Sequence, residues 1–177
     1  MKEFRNLIVL GPLIYALHHF EEHVIFNFRE WRLAYFADNN PIPTEEVLIR
    51  LIALLLIFVF VHLIKNNRAS AHIVLFFLMT TQVVNAFFHI FFSLYFYDFS
   101  PGVITAVLLY LPINFLIIRS AFQEEFLRSY LELCLLFVAG ITTFALFELI
   151  GPEVIAYSVL ITPIYYIMMN RSELTKS

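Results

Sequence analysis

Residues 69–97 contain no Asp, Glu, Lys or Arg, and this uncharged run constrains the fold more than any other feature. A helix needs roughly 20 mostly apolar residues to cross the hydrocarbon core of a bilayer, and the run exceeds that length. Across the 177 residues, 61% are hydrophobic and only 14% are charged, whereas soluble domains carry about 25% charged residues. A water-soluble fold of this length has no way to bury so much apolar surface. The chain is therefore predicted to be an integral membrane protein.

Segments of suitable length and hydropathy recur along the chain. They predict an all-α, polytopic transmembrane helix bundle of about six spans, in a single domain covering residues 1–177. The predicted spans are residues 6–28, 47–64, 70–97, 102–119, 128–148 and 152–170. The first and fifth are the weakest candidates, since each contains acidic residues. The polar residues 29–46 are expected to form the longest loop.

The distribution of Lys and Arg predicts the orientation of the bundle, since the cytoplasmic loops of membrane proteins are enriched in both. With an even number of spans, Arg29, Arg32 and Arg50 fall on one side of the membrane. The opposite side collects Lys2, Arg5, Lys65, Arg68, Arg119, Arg128, Arg171 and Lys176. Both termini are therefore predicted to be cytoplasmic. The net charge of −3 and the absence of a basic block exclude a nucleic-acid partner.

An ionisable cluster lies inside the first predicted span, where residues 18–23 read His-His-Phe-Glu-Glu-His. Ionisable side chains are costly at membrane depth and usually mark a functional site there. On a helix with 100° per residue, His18, Glu21 and Glu22 fall within an arc of about 100°. His19 and His23 lie beyond the Glu22 edge of that arc, so the sequence leaves open whether they join the site.

A second polar stripe runs along the third predicted span and consists of Gln82, Asn85, His89 and Ser93. The spacing keeps these residues within an arc of about 80°, which should face protein or a cavity rather than lipid. At about 1.5 Å per residue, residues 18–22 lie about 18–24 Å into the first helix from the cytoplasmic side. Residues 85–89 lie about 23–29 Å into the third helix, counted from the same side. The overlap in depth predicts one shared site in the outer half of the membrane.

Two adjacent carboxylates and several imidazoles cannot all be ionised in a low-dielectric interior without compensation. A divalent metal ion would compensate them, with His18, Glu22 and His89 as its ligands and one position left open for water. Zinc is the favoured ion, and iron and manganese are alternatives. The predicted catalytic residues are Glu21 and Glu22 as acid/base groups and Asn85 as the residue that orients the substrate. Without a metal, Glu21 or Glu22 would act as a general acid/base with His89 as its partner.

Three short motifs resemble those of the HXXEE family of small bacterial membrane proteins. Residues 18–22 match its His-x-x-Glu-Glu signature, and residues 85–89 match its Asn-x-x-x-His motif. Its third motif, Tyr-x-Pro-Gly, corresponds to residues 99–102, where Phe99 replaces the tyrosine and Tyr97 lies close by. The resemblance names no reaction, but it implies that these residues act together: His18, Glu21, Glu22, Asn85, His89, Pro101 and Gly102. It also implies the bacterial cytoplasmic membrane as the location.

The leading functional prediction is a membrane-embedded, metal-dependent hydrolase acting on a lipid-like or membrane-borne substrate near the outer leaflet. Its supporting residues are predicted to be Gln82, Ser93, Tyr97, Pro101 and Gly102. One alternative is a metal-free, isomerase-like acid/base enzyme. Another is a proton- or metal-ion-coupled transporter, which would need a polar path through both leaflets. A third is an accessory subunit whose polar core is structural.

Overall fold

The computed structural model describes residues 3–37 and 44–174, and these residues form seven helices and no strand. Helix α1 consists of Glu3–Leu7, Leu10–Phe20 and a π-helical turn at Glu21–Ile25. Helix α2 is the short segment Phe28–Tyr35. The remaining helices are α3 at Thr44–Lys65, α4 at Arg68–Tyr95, α5 at Val103–Gln123, α6 at Tyr130–Ile150 and α7 at Glu153–Leu174.

Helices α3 to α7 are all long and apolar enough to cross a membrane. They correspond to the second to sixth predicted spans, with ends shifted by a few residues. Helix α1 covers most of the first predicted span, but it is interrupted at Ile8 and Val9 and carries Glu21 and Glu22 in its last turn. The all-helical prediction is therefore confirmed for the part of the chain described, and five candidate spans are consistent with an integral membrane protein.

Helix α2 corrects the expectation that residues 29–46 form a loop. Asn27 caps this helix, because its side-chain oxygen accepts a hydrogen bond from Glu30 N at 3.2 Å. Most of its residues are polar or exposed apart from Trp31, which is buried, so hydropathy does not reveal the helix. The rest of the expected loop, residues 38–43, lies outside the described residues.

Helix α4 is the centre of the bundle. In its most apolar stretch 72% of the residues are buried, against 28% or less in the other four long helices, whose apolar faces remain for lipid. Helix α6 approaches α4 closely at Gly140, where an added Cβ would lie 3.2 Å from Met79 Cγ. Small residues of this kind let membrane helices pack tightly. Most residues of α4 therefore face neighbouring helices.

Gln82 of α4 joins three helices in the interior. Its Nε2 donates a hydrogen bond to Gly11 O of α1 at 2.9 Å, and its Oε1 accepts one from Asn114 Nδ2 of α5 at 2.8 Å. The side chain is completely buried. Hydrogen bonds between helices stabilise bundles in lipid, where hydrophobic contact supplies little of the association energy. Gln82 thus holds α1 and α5 against α4, about one turn before the predicted site residue Asn85.

Candidate metal centre

A buried carboxylate, Glu22, lies among four imidazoles where α1 meets α4. Its Oε1 is 3.4 Å from His18 Nε2 and 3.1 Å from His89 Nε2. Its Oε2 is 2.6 Å from His19 Nδ1 and 3.7 Å from His23 Nε2. Glu22 is 2% exposed, and His18 and His89 are equally buried. These five residues, called the Glu22 cluster below, bring the two predicted polar stripes into contact.

Each of the two most buried imidazoles is held by a hydroxyl group on the ring side away from Glu22. His18 Nδ1 is 2.9 Å from Thr105 Oγ1, and His89 Nδ1 is 2.9 Å from Ser100 Oγ. Imidazoles that bind metal usually donate their second N–H to an oxygen in this way, which sets the ring orientation and the tautomer. Both hydroxyls lie on the segment that connects α4 to α5 and begins α5.

The Thr105 hydroxyl favours one tautomer of His18. Its Oγ1 can donate its proton to Gly102 O at 3.2 Å and accept a hydrogen bond from His18 Nδ1–H at 2.9 Å, an arrangement that leaves Nε2 unprotonated. The Nε2 lone pair of His18 then points towards Glu22 and has no hydrogen-bond partner among the described residues. Two lone pairs, on His18 Nε2 and Glu22 Oε1, face each other in a buried site. A cation shared by the two atoms would stabilise this arrangement, so these residues could hold a metal ion.

Glu21, the other acid of the signature, faces away from the imidazoles. Its Oε1 accepts hydrogen bonds from Gly102 N at 3.1 Å and Ile104 N at 3.2 Å. Its Oε2 accepts one from Thr105 N at 2.7 Å. These N–H groups form the N-terminus of α5, where the helix dipole favours a carboxylate. The geometry therefore gives Glu21 a structural position at the start of α5, and its acid/base role stays a prediction.

We expect Glu21→Ala to lower the free energy of unfolding by about 2–3 kcal/mol, because it leaves buried N–H groups of α5 without acceptors. Thermal unfolding of the purified protein in detergent measures the change. Glu30→Ala is the matched control, since Glu30 is exposed near the start of α2 and its loss should cost no more than about 0.5 kcal/mol. Equal stability of the two variants would contradict the capping role of Glu21.

The Pro101-Gly102 turn packs directly against the Glu22 cluster. Gly102 has a φ of 96°, in the left-handed region that favours glycine. A Cβ at this position would lie 2.7 Å from His18 Cε1, 2.9 Å from Glu22 Cγ and 3.0 Å from His89 Cε1. Pro101, which precedes it, is buried and restricts the turn. The turn therefore needs a glycine both for its backbone conformation and for the space that the cluster occupies.

A cavity of about 160 Å³ adjoins the cluster and helix α2. One wall is polar and consists of His19, Glu22, His23, Asn85 and His89. The phenylalanines that line the other walls are Phe28, Phe76, Phe77, Phe88, Phe144 and Phe147. An ion pair also lines it, in which Arg32 Nη2 donates to Glu148 Oε2 at 2.9 Å. The cluster thus borders a chamber that combines phenylalanine walls with a polar wall and an ion pair. Its volume is about that of a cavity that holds a small aromatic molecule.

The remaining predicted site residues differ in their placement. Asn85 lines the cavity, and its buried Oδ1 has no hydrogen-bond partner in the described part of the chain. Ser93 Oγ accepts a hydrogen bond from Ser100 N at 3.0 Å, so it fixes the loop that carries the Ser100 hydroxyl. Tyr97 is 97% exposed, and its supporting role stays a prediction. With a φ of 52°, Tyr97 is a surface turn residue after α4.

Two hydroxyl residues, Ser100 and Thr105, were missed in the sequence, although they flank the Pro-Gly motif. The sequence leaves open whether His19 and His23 join the site, because they lie beyond the arc that holds His18, Glu21 and Glu22. Measured from Glu22 on the helix, His18 lies about 40° to one side and His19 about 60° to the other. Because a carboxylate has two oxygens, Glu22 can contact imidazoles on both sides of its own position. This spacing therefore indicates a larger cluster that includes His19.

Three π-helical turns surround the site, at Glu21–Ile25, Met79–Val84 and Ala106–Tyr110. The first contains Glu22, the second directly precedes Asn85, and the third directly follows Thr105. Such turns replace ordinary helical hydrogen bonds with longer i→i+5 bonds and occur frequently at functional sites. Their position on three separate helices supports a functional centre at this point of the bundle.

The chain matches a known family across the region that builds this centre. The family model, described as "Protein of unknown function with HXXEE motif", matches residues 9–117. This stretch includes the whole Glu22 cluster, the Pro101-Gly102 turn and both hydroxyls. No curated protein and no solved structure matches the chain. Because the match covers more than half of the 177 residues and contains the signature at residues 18–22, the chain belongs to the HXXEE family.

Proposed function

We propose that the protein crosses the bacterial cytoplasmic membrane six times, with both termini in the cytoplasm. Helices α3 to α7 supply five spans, and α1 supplies the sixth. Helix α1 tolerates its charged residues because it packs against α3 and α5 with Glu21 and Glu22 buried. The distribution of Lys and Arg supports the orientation. His89 lies about 9 Å before the end of α4, which supports a position of the Glu22 cluster in the outer half of the bilayer.

The activity we propose is metal-dependent hydrolysis, with zinc as the favoured ion and iron or manganese as alternatives. One observation carries it, namely the unpartnered Nε2 of His18 facing Glu22 Oε1 at 3.4 Å in a buried site. His89 Nε2 approaches the same oxygen to 3.1 Å, and the three ligand atoms lie within 4.8 Å of one another. Two imidazoles and a carboxylate form a common ligand set of catalytic zinc.

A bound divalent ion would polarise an ester or phosphoryl oxygen and make water nucleophilic at neutral pH. His18, Glu22 and His89 hold the ion in this proposal. Asn85 Oδ1, on the cavity wall, accepts a hydrogen bond from water or substrate. With a single ion bound, the Oε2 atom of Glu22, which lies beside His19 and His23, accepts a proton. Glu21 positions the start of α5 and thereby the hydroxyl that orients His18.

The proposed substrate is lipid-like or membrane-borne. The phenylalanine walls of the cavity suit an apolar chain, and the polar wall suits the group that reacts. The cavity extends between α3, α4, α6 and α7, and the last two helices have few buried residues in their apolar stretches. A molecule dissolved in the bilayer is therefore the natural candidate for a chamber at this depth.

Metal content tests the proposal. Wild-type protein purified in mild detergent is expected to carry at least one divalent ion per chain by elemental mass spectrometry. His18→Ala and His89→Ala are each expected to lose one ion, because each removes a ligand from a buried, charge-compensating centre.

His72→Ala is the matched control for this experiment. His72 is another buried imidazole of α4, about 25 Å along the helix from His89. It contacts the Tyr165 hydroxyl and Phe126 O instead of the Glu22 cluster. This variant should keep the wild-type metal content. Folded wild-type protein that binds no zinc, iron or manganese would overturn the proposal, as would wild-type metal content in His89→Ala.

A metal-free acid/base enzyme is the second candidate, favoured by the 2.6 Å contact between Glu22 Oε2 and His19 Nδ1. A rotation of the His19 ring would align this contact as a hydrogen bond, along which the carboxylate and the imidazole can exchange a proton. Metal-free, folded protein with an infrared band of a protonated carboxyl group that disappears in Glu22→Gln would support this candidate. A metal-free protein in which Glu22→Gln leaves the carboxyl bands unchanged would exclude it.

A further inference from the structure

We propose that Glu22 bridges two metal ions, with a second position formed by His19, His23 and the Oε2 atom of Glu22. The inference rests on the metal centre proposed above and extends it to a dinuclear one. His19 Nδ1 lies 2.6 Å and His23 Nε2 lies 3.7 Å from Glu22 Oε2. These three atoms lie within 4.8 Å of one another, as the atoms of the first position do. Two imidazoles and a carboxylate oxygen suit zinc or manganese.

His19 and His23 are arranged as a helical ligand pair. They stand four residues apart on α1, and their rings are parallel, with centroids 5.7 Å apart and an interplanar angle of 6°. Two histidines at this spacing on one helical face are a recurrent way of binding zinc. Both side chains line the cavity together with Glu22.

The nitrogen atoms of His19 give the second position its strongest support. Both are buried, and neither has a hydrogen-bond partner among residues 3–37 and 44–174. Nδ1 approaches Glu22 Oε2 closely but outside the directions that a hydrogen bond requires. Buried polar atoms in folded proteins nearly always have a partner. A cation shared by His19 Nδ1 and Glu22 Oε2 supplies one for both atoms.

The two positions use opposite oxygens of a single carboxylate. A bridge of this kind suits the ion separation of about 3.5–4 Å found in two-metal hydrolytic sites. The second position is the more accessible, since the His19 and His23 side chains are 13% and 24% exposed whereas that of His18 is fully buried. The ion on the cavity side is therefore the one that a substrate meets first, and Glu22 Oε2 serves as its ligand rather than as a proton acceptor.

Manganese loading tests the inference by metal content and by electron paramagnetic resonance. Full-length protein in detergent, stripped of metal and reloaded with Mn²⁺, is expected to bind two ions per chain and to show the signal of a spin-coupled pair. His23→Gln and, independently, His19→Gln are expected to bind one ion and to show the signal of isolated Mn²⁺. His72→Ala, outside the cluster, should keep both ions and the coupled signal.

The possible outcomes separate this inference from the proposed function. One ion in the wild type, unchanged in His23→Gln and His19→Gln but lost in His89→Ala, overturns the second position and leaves the first. Two ions retained in both His19→Gln and His23→Gln also overturn it, because the second ion then binds elsewhere. No bound ion in folded wild type overturns both proposals. If either His19→Gln or His23→Gln does not fold, the metal content of the other variant tests the inference.

Discussion

Glu22→Gln is expected to abolish metal binding at both positions and to leave the bundle folded. Glu22 contacts all four imidazoles of the cluster and supplies its negative charge, whereas Glu21 is held by backbone N–H groups of α5. Glutamine has nearly the same shape, so packing is preserved while the charge that compensates a cation is lost. Elemental mass spectrometry of the purified variant measures the effect.

Stability provides a second readout for the same substitution. Binding of a ligand at 100 times its dissociation constant stabilises the folded state by about 2.7 kcal/mol. A chelator should therefore lower the unfolding temperature of the wild type and have no effect on Glu22→Gln. Glu124→Gln is the matched control, because Glu124 accepts a hydrogen bond from Phe4 N at 2.7 Å far from the cluster and glutamine can still accept it. Glu22→Gln protein with wild-type metal content and chelator sensitivity would contradict the bridging role.

Among substitutions that add a single methyl group, Gly102→Ala is expected to cause the largest loss of stability. Its φ of 96° makes alanine strained by about 1–3 kcal/mol, and overpacking adds about 1–3 kcal/mol. The added carbon would contact His18, Glu22 and His89 at 2.7–3.0 Å and push the ligands apart. We expect a loss of about 2–6 kcal/mol in the free energy of unfolding together with loss of bound metal.

Substitutions at two other glycines separate the effect of backbone strain from the effect of a close contact. Gly151 has a φ of 107°, so Gly151→Ala introduces backbone strain away from the cluster. Gly140→Ala introduces a close contact with Met79 at an ordinary helical position. Both controls should lose stability and keep their metal, as measured by thermal unfolding and elemental analysis. If Gly102→Ala retained its metal as the two controls are expected to, the Pro101-Gly102 turn would not position His18, Glu22 and His89.

The helices of this chain were largely predictable because hydropathy is a local property. Residues 69–97 lack charge, and the helix found there differs from the predicted span by only a few residues at each end. The same approach failed at α2, because a short polar helix with one buried aromatic residue, Trp31, has no hydropathy signal. Its formation depends on the Asn27 cap and on packing against the end of α4, for example the Tyr35 and Phe96 rings at 4.0 Å.

The site was predictable where it depends on helical periodicity. Angle and depth comparisons associated His18 and Glu22 of α1 with His89 of α4, and the structure places Glu22 Oε1 within 3.4 Å of a nitrogen of each imidazole. Periodicity did not predict the Thr105 and Ser100 hydroxyls, since both lie near the turn into α5, where no repeat applies. It also gave Tyr97 a place near the site, although the turn after α4 directs that side chain outward.

The sequence by itself determined that this is an all-helical chain with apolar spans and an ionisable cluster at their interface, because composition and periodicity act within each helix. It also determined the family, through motifs that lie within 9–117. Only the tertiary structure distinguished the adjacent acids of the signature. Glu21 and Glu22 are chemically identical, and their roles separate because Glu21 meets the N–H groups of α5 while Glu22 meets imidazoles from α1 and α4. Which partner each carboxylate meets depends on how three helices pack, and that information is distributed over residues far apart in the chain.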